Sequence, residues 1–275
     1  AYSALFAGRL ATSAGGQFIL RIEDIDPGRC RPEFEDAIIE DMAWLGLEWP
    51  QPVWRQSERM DVYGSALETL NGMDLLYPCF CTRKDIAAEI SQSGAAPHLG
   101  HDGPDGPVYP GICKSLDGST RAARIAAGDP HALRLDMDAA IARAGTLTWH
   151  DRSRGEQTAE PEIFGDVVLA RKDVATSYHL AVTIDDAAQG VTLVTRGSDL
   201  FAATHIHRLL QALLDLDVPE WHHTPLLANS DGERLAKRDR AFTLQAMREA
   251  GTDPEEIWAM AIRQIARGAA SANEL

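Results

Sequence analysis

Between Tyr77 and about Pro130 the 275-residue chain carries a stretch that apolar burial alone cannot hold together. Its centre, "SGAAPHLGHDGPDGPVYPG", is so rich in Gly and Pro that no regular element is expected there. A segment with so few large apolar side chains needs another source of cohesion, and cysteine offers one. "YPCFCTRK" places Cys79 and Cys81 one residue apart and "VYPGICKSL" adds Cys113, while Cys30 lies far upstream in "DPGRCRPEF". Four unevenly spaced cysteines make a poor disulfide framework for a chain this long. A close Cys-x-Cys pair with a distant third instead suits a thiolate metal site in a reducing compartment, so a cytoplasmic protein is expected. Tetrahedral zinc needs a fourth ligand. By proximity the candidates are His98, His101, Tyr109 and Cys30, and general frequencies favour a histidine, since imidazole is a far commoner zinc ligand than phenolate.

On both sides of this insertion the pattern is that of an open α/β sheet. In "AYSALFAGRLATSAGG", Ala4, Leu5, Ala7, Leu10 and Ala11 recur at helical spacing and stop at Gly15 and Gly16. "QFILRI" reads as a buried strand running into the acidic turn "EDIDPG", which leaves Glu23 at a strand's carboxyl end. A helix follows with Pro32 in its first turn, an apolar stripe of Phe34, Ile38, Met42 and Leu45, and Gly46 to close it. A further helix is expected from about Ser57 to Leu70. Beyond the insertion, "GDVVLARKDVATSYHLAVTIDDAAQGVTLVTRG" reads as three strands with turns at Lys172-Asp173 and near Asp186 to Gly190, and "SDLFAATHIHRLLQALL" as a helix. "HHTPLLANSDGERLAKRDRAFTL" is loop-rich, and the segment from Asp253 is helical in pattern. The expected organisation is a first α/β half over residues 1–76, the insertion over 77–130, a second half over 131–225, and a loop with a short helical segment over 226–275.

At 45% hydrophobic residues the chain can build one large or two small cores, and no apolar run reaches the roughly 18 to 20 residues that span a bilayer. The net charge of −15 argues against nucleic acid as a partner when taken as an average. Local clusters keep RNA open: Arg29 with Arg31, Arg121 with Arg124, Arg152 with Arg154, and Arg234, Lys237, Arg238 and Arg240 together. Taken singly, each is more often a solvated, salt-bridged face. Glu23 could accept hydrogen bonds from an ammonium group outside a strand end, though a surface ion pair with Arg21 is commoner. Arg196 in "TRGSDL" could clamp a carboxylate. Asp185 and Asp186 suit a tight turn better than a magnesium site. Lys237, on a basic loop, could neutralise a departing pyrophosphate. The histidine pairs His205 with His207 and His222 with His223 match no trusted metal or nucleophile spacing and read as structural or surface.

Taken together and in this order, "RIEDID", "CFC", "VYPGIC", "YHLAVTIDDAAQGVTLVTRGSDL" and "RLAKR" resemble the catalytic core of the class I glutamyl-tRNA synthetases over nearly the whole chain. The likeness is greatest to their short paralogues, the glutamyl-queuosine tRNA(Asp) synthetases, which have no anticodon-binding domain. The Cys-x-Cys, Tyr-x-x-x-Cys pattern and the short stretch after "RLAKR" favour that branch. The resemblance implies a Rossmann-like open parallel sheet with a zinc-binding insertion and a short helical C-terminal segment. It also implies zinc on Cys79, Cys81, Tyr109 and Cys113, with His101 as the alternative to Tyr109. Glu23, Tyr178 and Arg196 would bind L-glutamate, and Lys237 would be the catalytic lysine of the ATP loop. "RLAKR" departs from the usual Lys-Met-Ser-Lys-Ser form, with Arg234 for the first lysine and Ala236 for the serine.

The implied partners of a monomer are L-glutamate, ATP with Mg²⁺, and tRNA(Asp) carrying queuosine. Two alternatives are a catalytic fragment that charges tRNA(Glu) and an inactive zinc-stabilised module that binds glutamate or RNA. The family opens with a strand, a Pro-Ser-Pro-Thr-Gly-like turn and a His-x-Gly-His-like ATP motif. The present sequence starts just after them, so an upstream segment carrying them is expected.

Overall fold

The computed structural model describes residues 2–93, 102–226, 243–260 and 262–263. These belong to two compact units, one drawn from Ala1–Glu58, Val194–Phe201 and Trp221–Leu275, the other from Arg59–Leu193 and Ala202–Glu220.

The first unit begins with α1 (Tyr2–Ser13), β1 (Arg21–Ile22), α2 (Pro32–Trp44) and β2 (Trp54–Arg55). β1 and β2 pair in parallel, Arg21 opposite Trp54 and Ile22 opposite Arg55, so α2 is the crossover that a parallel pair requires. α2 forms where expected. Arg31 is extended before it, Pro32 supplies a preset φ in its first turn, and Glu33 and Glu35 lie where the helix dipole favours acids. Gly46 then takes φ +74°, a conformation that side chains resist. The expected apolar stripe is only half used. Met42 and Leu45 pack with Leu5 and Ile257 into this unit's core, whereas Phe34 and Ile38 are 56% and 43% exposed.

The second unit contributes α3 (Met60–Gly72), β3 (Leu76–Cys79), α4 (Arg83–Ser93), β4 (Asp102–Gly103), β5 (Gly106–Pro107), α5 (Gly118–Ala126), β6 (Ala132–Leu135), α6 (Met137–Ala144), β7 (Thr148–Asp151), β8 (Gly155–Thr158), β9 (Val168–Ala170) and α7 (Tyr178–Ala188). The chain continues through β10 (Leu193–Gly197), α8 (Ala203–Leu213), β11 (Glu220–Thr224) and α9 (Leu244–Glu249), and residues 254–260 are helical. β3, β6 and β9 form an antiparallel sheet in which Leu76 faces Leu135 and Cys79 faces Ala132, so β3 delivers the first cysteine of the insertion from a paired strand.

Two expectations fail here for the same reason. The middle strand predicted in "YHLAVTIDDAA" is α7, and Asp185 lies inside that helix rather than in a turn. Leu180 to Asp185 are all buried, so the segment has no polar face to reveal a 3.6-residue period, and Val182, Thr183 and Ile184 mimic a strand. Ser177 decides the matter locally by accepting a hydrogen bond from the Leu180 N–H. The insertion is likewise more regular than its composition suggested. Asp85 accepts from the Thr82 N–H at 2.7 Å at the start of α4, and Asp117 caps α5 through the Thr120 N–H at 2.8 Å. Residues 94–101, with His98 and His101, lie outside the described residues.

The insertion is tied to β6 and α6 by Lys114, whose Nζ lies 2.8 Å from Asp136 and 2.9 Å from Asp138. Asp136 also caps α6 by accepting from the Ala139 N–H. Burial pushes the Asp136 carboxyl up, but the bonds from Lys114 and Ala139 outweigh it and hold it below the usual carboxylate range. A depressed carboxylate stabilises the fold above its unfolded pKa and loses that contribution as pH falls through the folded value. Denaturant titrations from pH 6 down to pH 2 should therefore show an acid-side loss of stability that is smaller in Asp136→Asn than in the parent.

Candidate functional site

The side chains of Cys79, Cys81 and Cys113 bring their three sulfurs within 4.8 Å of one another, the one such cluster of metal-ligating groups among the described residues. β3 supplies Cys79, and Cys81 follows it two residues on. Gly111, at φ +80°, lets the chain double back between Tyr109 and Cys113. The Tyr109 Oη lies 3.4 Å from the Cys79 Sγ and 3.6 Å from the Cys81 Sγ, and the Cys81 and Cys113 sulfurs are 3.4 Å apart. A tetrahedron with Zn–S near 2.3 Å and Zn–O near 2.0 Å has edges of about 3.8 Å between sulfurs and about 3.5 Å between sulfur and oxygen. The four donor atoms thus fit a zinc ion.

Their electrostatics point the same way. Burial pushes the Cys79 thiol up, yet hydrogen bonds from Tyr109 and Arg134 bring its pKa below the ordinary value. Burial drives Cys81 the other way, to about 12, and burial also raises Tyr109. Without a cation the Cys79 thiol ionises before the Cys81 thiol, and a divalent ion would favour the thiolate form of both. Positive groups already surround it. The Phe80 N–H donates to the Cys113 Sγ at 3.3 Å, the Cys113 N–H donates to the Tyr109 Oη at 2.8 Å, and the Arg134 guanidinium sits 3.8 Å from the Tyr109 ring centre. Lys172 donates to the Phe80 and Cys81 carbonyls at 2.9 and 3.0 Å, gripping the Cys-x-Cys turn from outside. Cys30 belongs to the first unit, exposed and with its thiol 3.9 Å from the Glu23 carbonyl.

The other predicted site residues are distributed over both units. Glu23 follows β1 in the first unit and pairs with Arg21 at 3.2 Å, and the neighbouring Asp24 binds the Ser57 N–H and hydroxyl at 2.9 and 2.6 Å. Arg196 lies in β10, and its Nε donates to the His223 Nε2 at 3.1 Å. The Thr224 hydroxyl donates to the Arg196 carbonyl at 3.2 Å. Tyr178 opens α7 in the second unit, its ring packed against His179 and His207 at 5.5 and 5.7 Å. Lys237 lies outside the described residues, as do Arg234, Arg238 and Arg240.

Two histidines read as structural or surface in fact touch predicted site residues. His223 is buried, holds the Nε of Arg196, and packs edge-on against Phe201 at 5.0 Å. His207 is buried beside Tyr178. The signal available in the sequence was the alternation of a strand: of the adjacent His222 and His223, only one can share a face with buried Trp221, and the pair spacing alone hides which one is held inside.

Residues 1–274 match the family described as class I tRNA synthetases (E and Q), catalytic domain. The chain is 47% identical to the glutamyl-Q tRNA(Asp) synthetase of Rhodobacter capsulatus over 94% of its own length and 92% of that protein's. It is 43% identical to the enzyme of the same name from Symbiobacterium thermophilum, covering 94% and 79% of the two chains. Among solved structures it resembles a glutamate tRNA ligase from Elizabethkingia meningosepticum in complex with its amino acid, with a TM-score of 0.71 and 28% identity, over 86% of this chain and 48% of that one. The chain therefore belongs to the class I tRNA synthetases of the E and Q type, on the branch of the glutamyl-Q tRNA(Asp) synthetases. No helix among the described residues is long and apolar enough to cross a membrane.

Proposed function

We propose that this protein activates L-glutamate with ATP and transfers it to the queuosine base in the anticodon of tRNA(Asp). The observation that carries this reading is the 47% identity to a glutamyl-Q tRNA(Asp) synthetase that the chain spans almost end to end. In the first step a glutamate carboxylate oxygen attacks the α-phosphorus of ATP in line. The bond to the β-phosphate bridging oxygen breaks, giving glutamyl-adenylate and Mg²⁺-bound pyrophosphate. In the second, a hydroxyl of the queuosine cyclopentene-diol attacks the activated carbonyl. AMP leaves, the hydroxyl proton passes to solvent, and an ester remains on the base.

We assign glutamate binding to Glu23, through the substrate ammonium, to Arg196, through a carboxylate, and to Tyr178. Lys237 neutralises the pyrophosphate as it departs. Zinc is held by Cys79, Cys81, Tyr109 and Cys113 and serves the insertion as a structural tie; it takes no part in the chemistry. The donor distances support that ligand set.

The part played by Arg196 is supported by its geometry. With Nε held by a buried histidine, the guanidinium is fixed in orientation, and a charge-assisted bond to a carboxylate is worth about 1.5 to 3 kcal/mol. Arg196→Ala should weaken glutamate binding by on the order of 100-fold, and His223→Ala by about ten-fold. Calorimetric titration with L-glutamate checks both. Unchanged affinity in Arg196→Ala would remove it from the site.

A further inference from the structure

We propose that Asp105 and His179 form a positioning pair through which the insertion sets the placement of Tyr178. The pair deepens the glutamate-binding reading given above and rests on it only for its effect on affinity.

Tyr178 is the first residue of α7, so no preceding helical turn supports its side chain. Support comes from the side instead. The rings of His179 and His207 pack against it at interplanar angles of 63° and 61°, and the two imidazoles bond to each other, His179 Nδ1 to His207 Nε2, at 3.2 Å. A bracket of two rings keeps one orientation only if their tautomers are fixed. Asp105 supplies that constraint. Its Oδ2 lies 3.5 Å from the His179 Nε2, which places the His179 proton on Nε2 and leaves Nδ1 to accept from the His207 Nε2–H. The polarity then runs in one direction, from the His207–His179 hydrogen bond to the Asp105 carboxylate in ion-pair contact with His179. The bond to His179 outweighs burial and holds the Asp105 carboxyl below its ordinary range.

Asp105 lies in the turn between β4 and β5, inside the segment bracketed by the cysteines. That hairpin is seated by close approach. A Cβ on Gly103 would come within 2.7 Å of the Ile163 carbonyl oxygen, and one on Gly165 would collide with the Val108 side chain, so glycine at both positions lets the hairpin lie against residues 161–165. Phe164, from the same stretch, meets His179 edge-on at 6.1 Å. Asp105, His179, Phe164 and Tyr109 line one cavity of about 280 Å³, so a donor of the metal centre and the support of Tyr178 share its wall.

The experiment compares Asp105→Ala, His179→Ala, the double variant, Asp105→Asn and Gly103→Ala with the parent, by glutamate titration and by crystal structures read at the Tyr178 ring. The expected result is a displaced ring and about ten-fold weaker binding in each alanine single. The double variant should lose no more than either, since the two act as one unit. Asp105→Asn, which still offers an acceptor oxygen, should retain most of the affinity. Gly103→Ala, which keeps both residues but lifts the hairpin and with it Asp105 away from His179, should move the ring as well. An unmoved Tyr178 ring with unchanged affinity in both Asp105→Ala and His179→Ala would overturn the proposal. A parent that binds no glutamate, with the ring still displaced in the variants, would uphold the pair and overturn the glutamate reading instead.

Discussion

Cys81→Ser is expected to empty the metal centre and loosen the whole insertion. Zinc content should fall from about one ion per chain to near zero, and protease should cut readily between Cys79 and Cys113. The magnitude follows from what else holds this segment. Among the described residues its core is the cluster of Tyr77, Cys79, Phe80, Tyr109 and Cys113 packed against Cys81, Ile86, Ile112 and Leu116, so four of its nine members are the proposed zinc ligands. A structural zinc contributes on the order of 10 kcal/mol to the folding of such a module, far more than those few apolar contacts replace. Serine keeps the size but not the soft donor. Metal analysis and limited proteolysis read the two effects separately, and full zinc with an unchanged digestion pattern in Cys81→Ser would show that the ligand set is wrong.

Asp185→Ala should be the most damaging change away from the metal. Asp185 is fully buried in α7, and its two oxygens accept from the Arg59 Nε and the Tyr63 hydroxyl, both at 2.7 Å. Removing the carboxylate leaves a mostly buried guanidinium and a fully buried phenol with a lost partner, which costs about 3 to 5 kcal/mol. Tyr63→Phe removes one bond and one polar group together and should cost about 1 kcal/mol. Urea unfolding of the two variants gives the comparison directly. Equal, small losses would mean that the triad is not the lock between α3 and α7 that its geometry indicates.

Elements with contrast between their two faces, or with a glycine or proline boundary, were legible in the sequence: α1, α2 with Pro32 and Gly46, and α8 after the Arg196 strand. α7 was not, because Leu180 to Asp185 bury every face and periodicity then carries no information. The sulfur donors could be read from spacing alone, but the choice between Tyr109 and a histidine could not. The turn at Gly111 that brings the Tyr109 phenol next to two thiols is a three-dimensional fact on which spacing and ligand frequencies are silent. The supports of the predicted glutamate residues were invisible for a related reason. His223 and His207 belong to pairs with no diagnostic spacing, and only folding sets them against Arg196 and Tyr178.

The most direct measurement offers the full-length gene product ATP, Mg²⁺ and labelled L-glutamate, with tRNA taken from cells that make queuosine and from cells that do not. Label appearing only on the queuosine-containing pool, and lost when the diol is oxidised with periodate beforehand, is the expected result. Label on both pools would contradict it and assign the enzyme to the ordinary charging of tRNA(Glu).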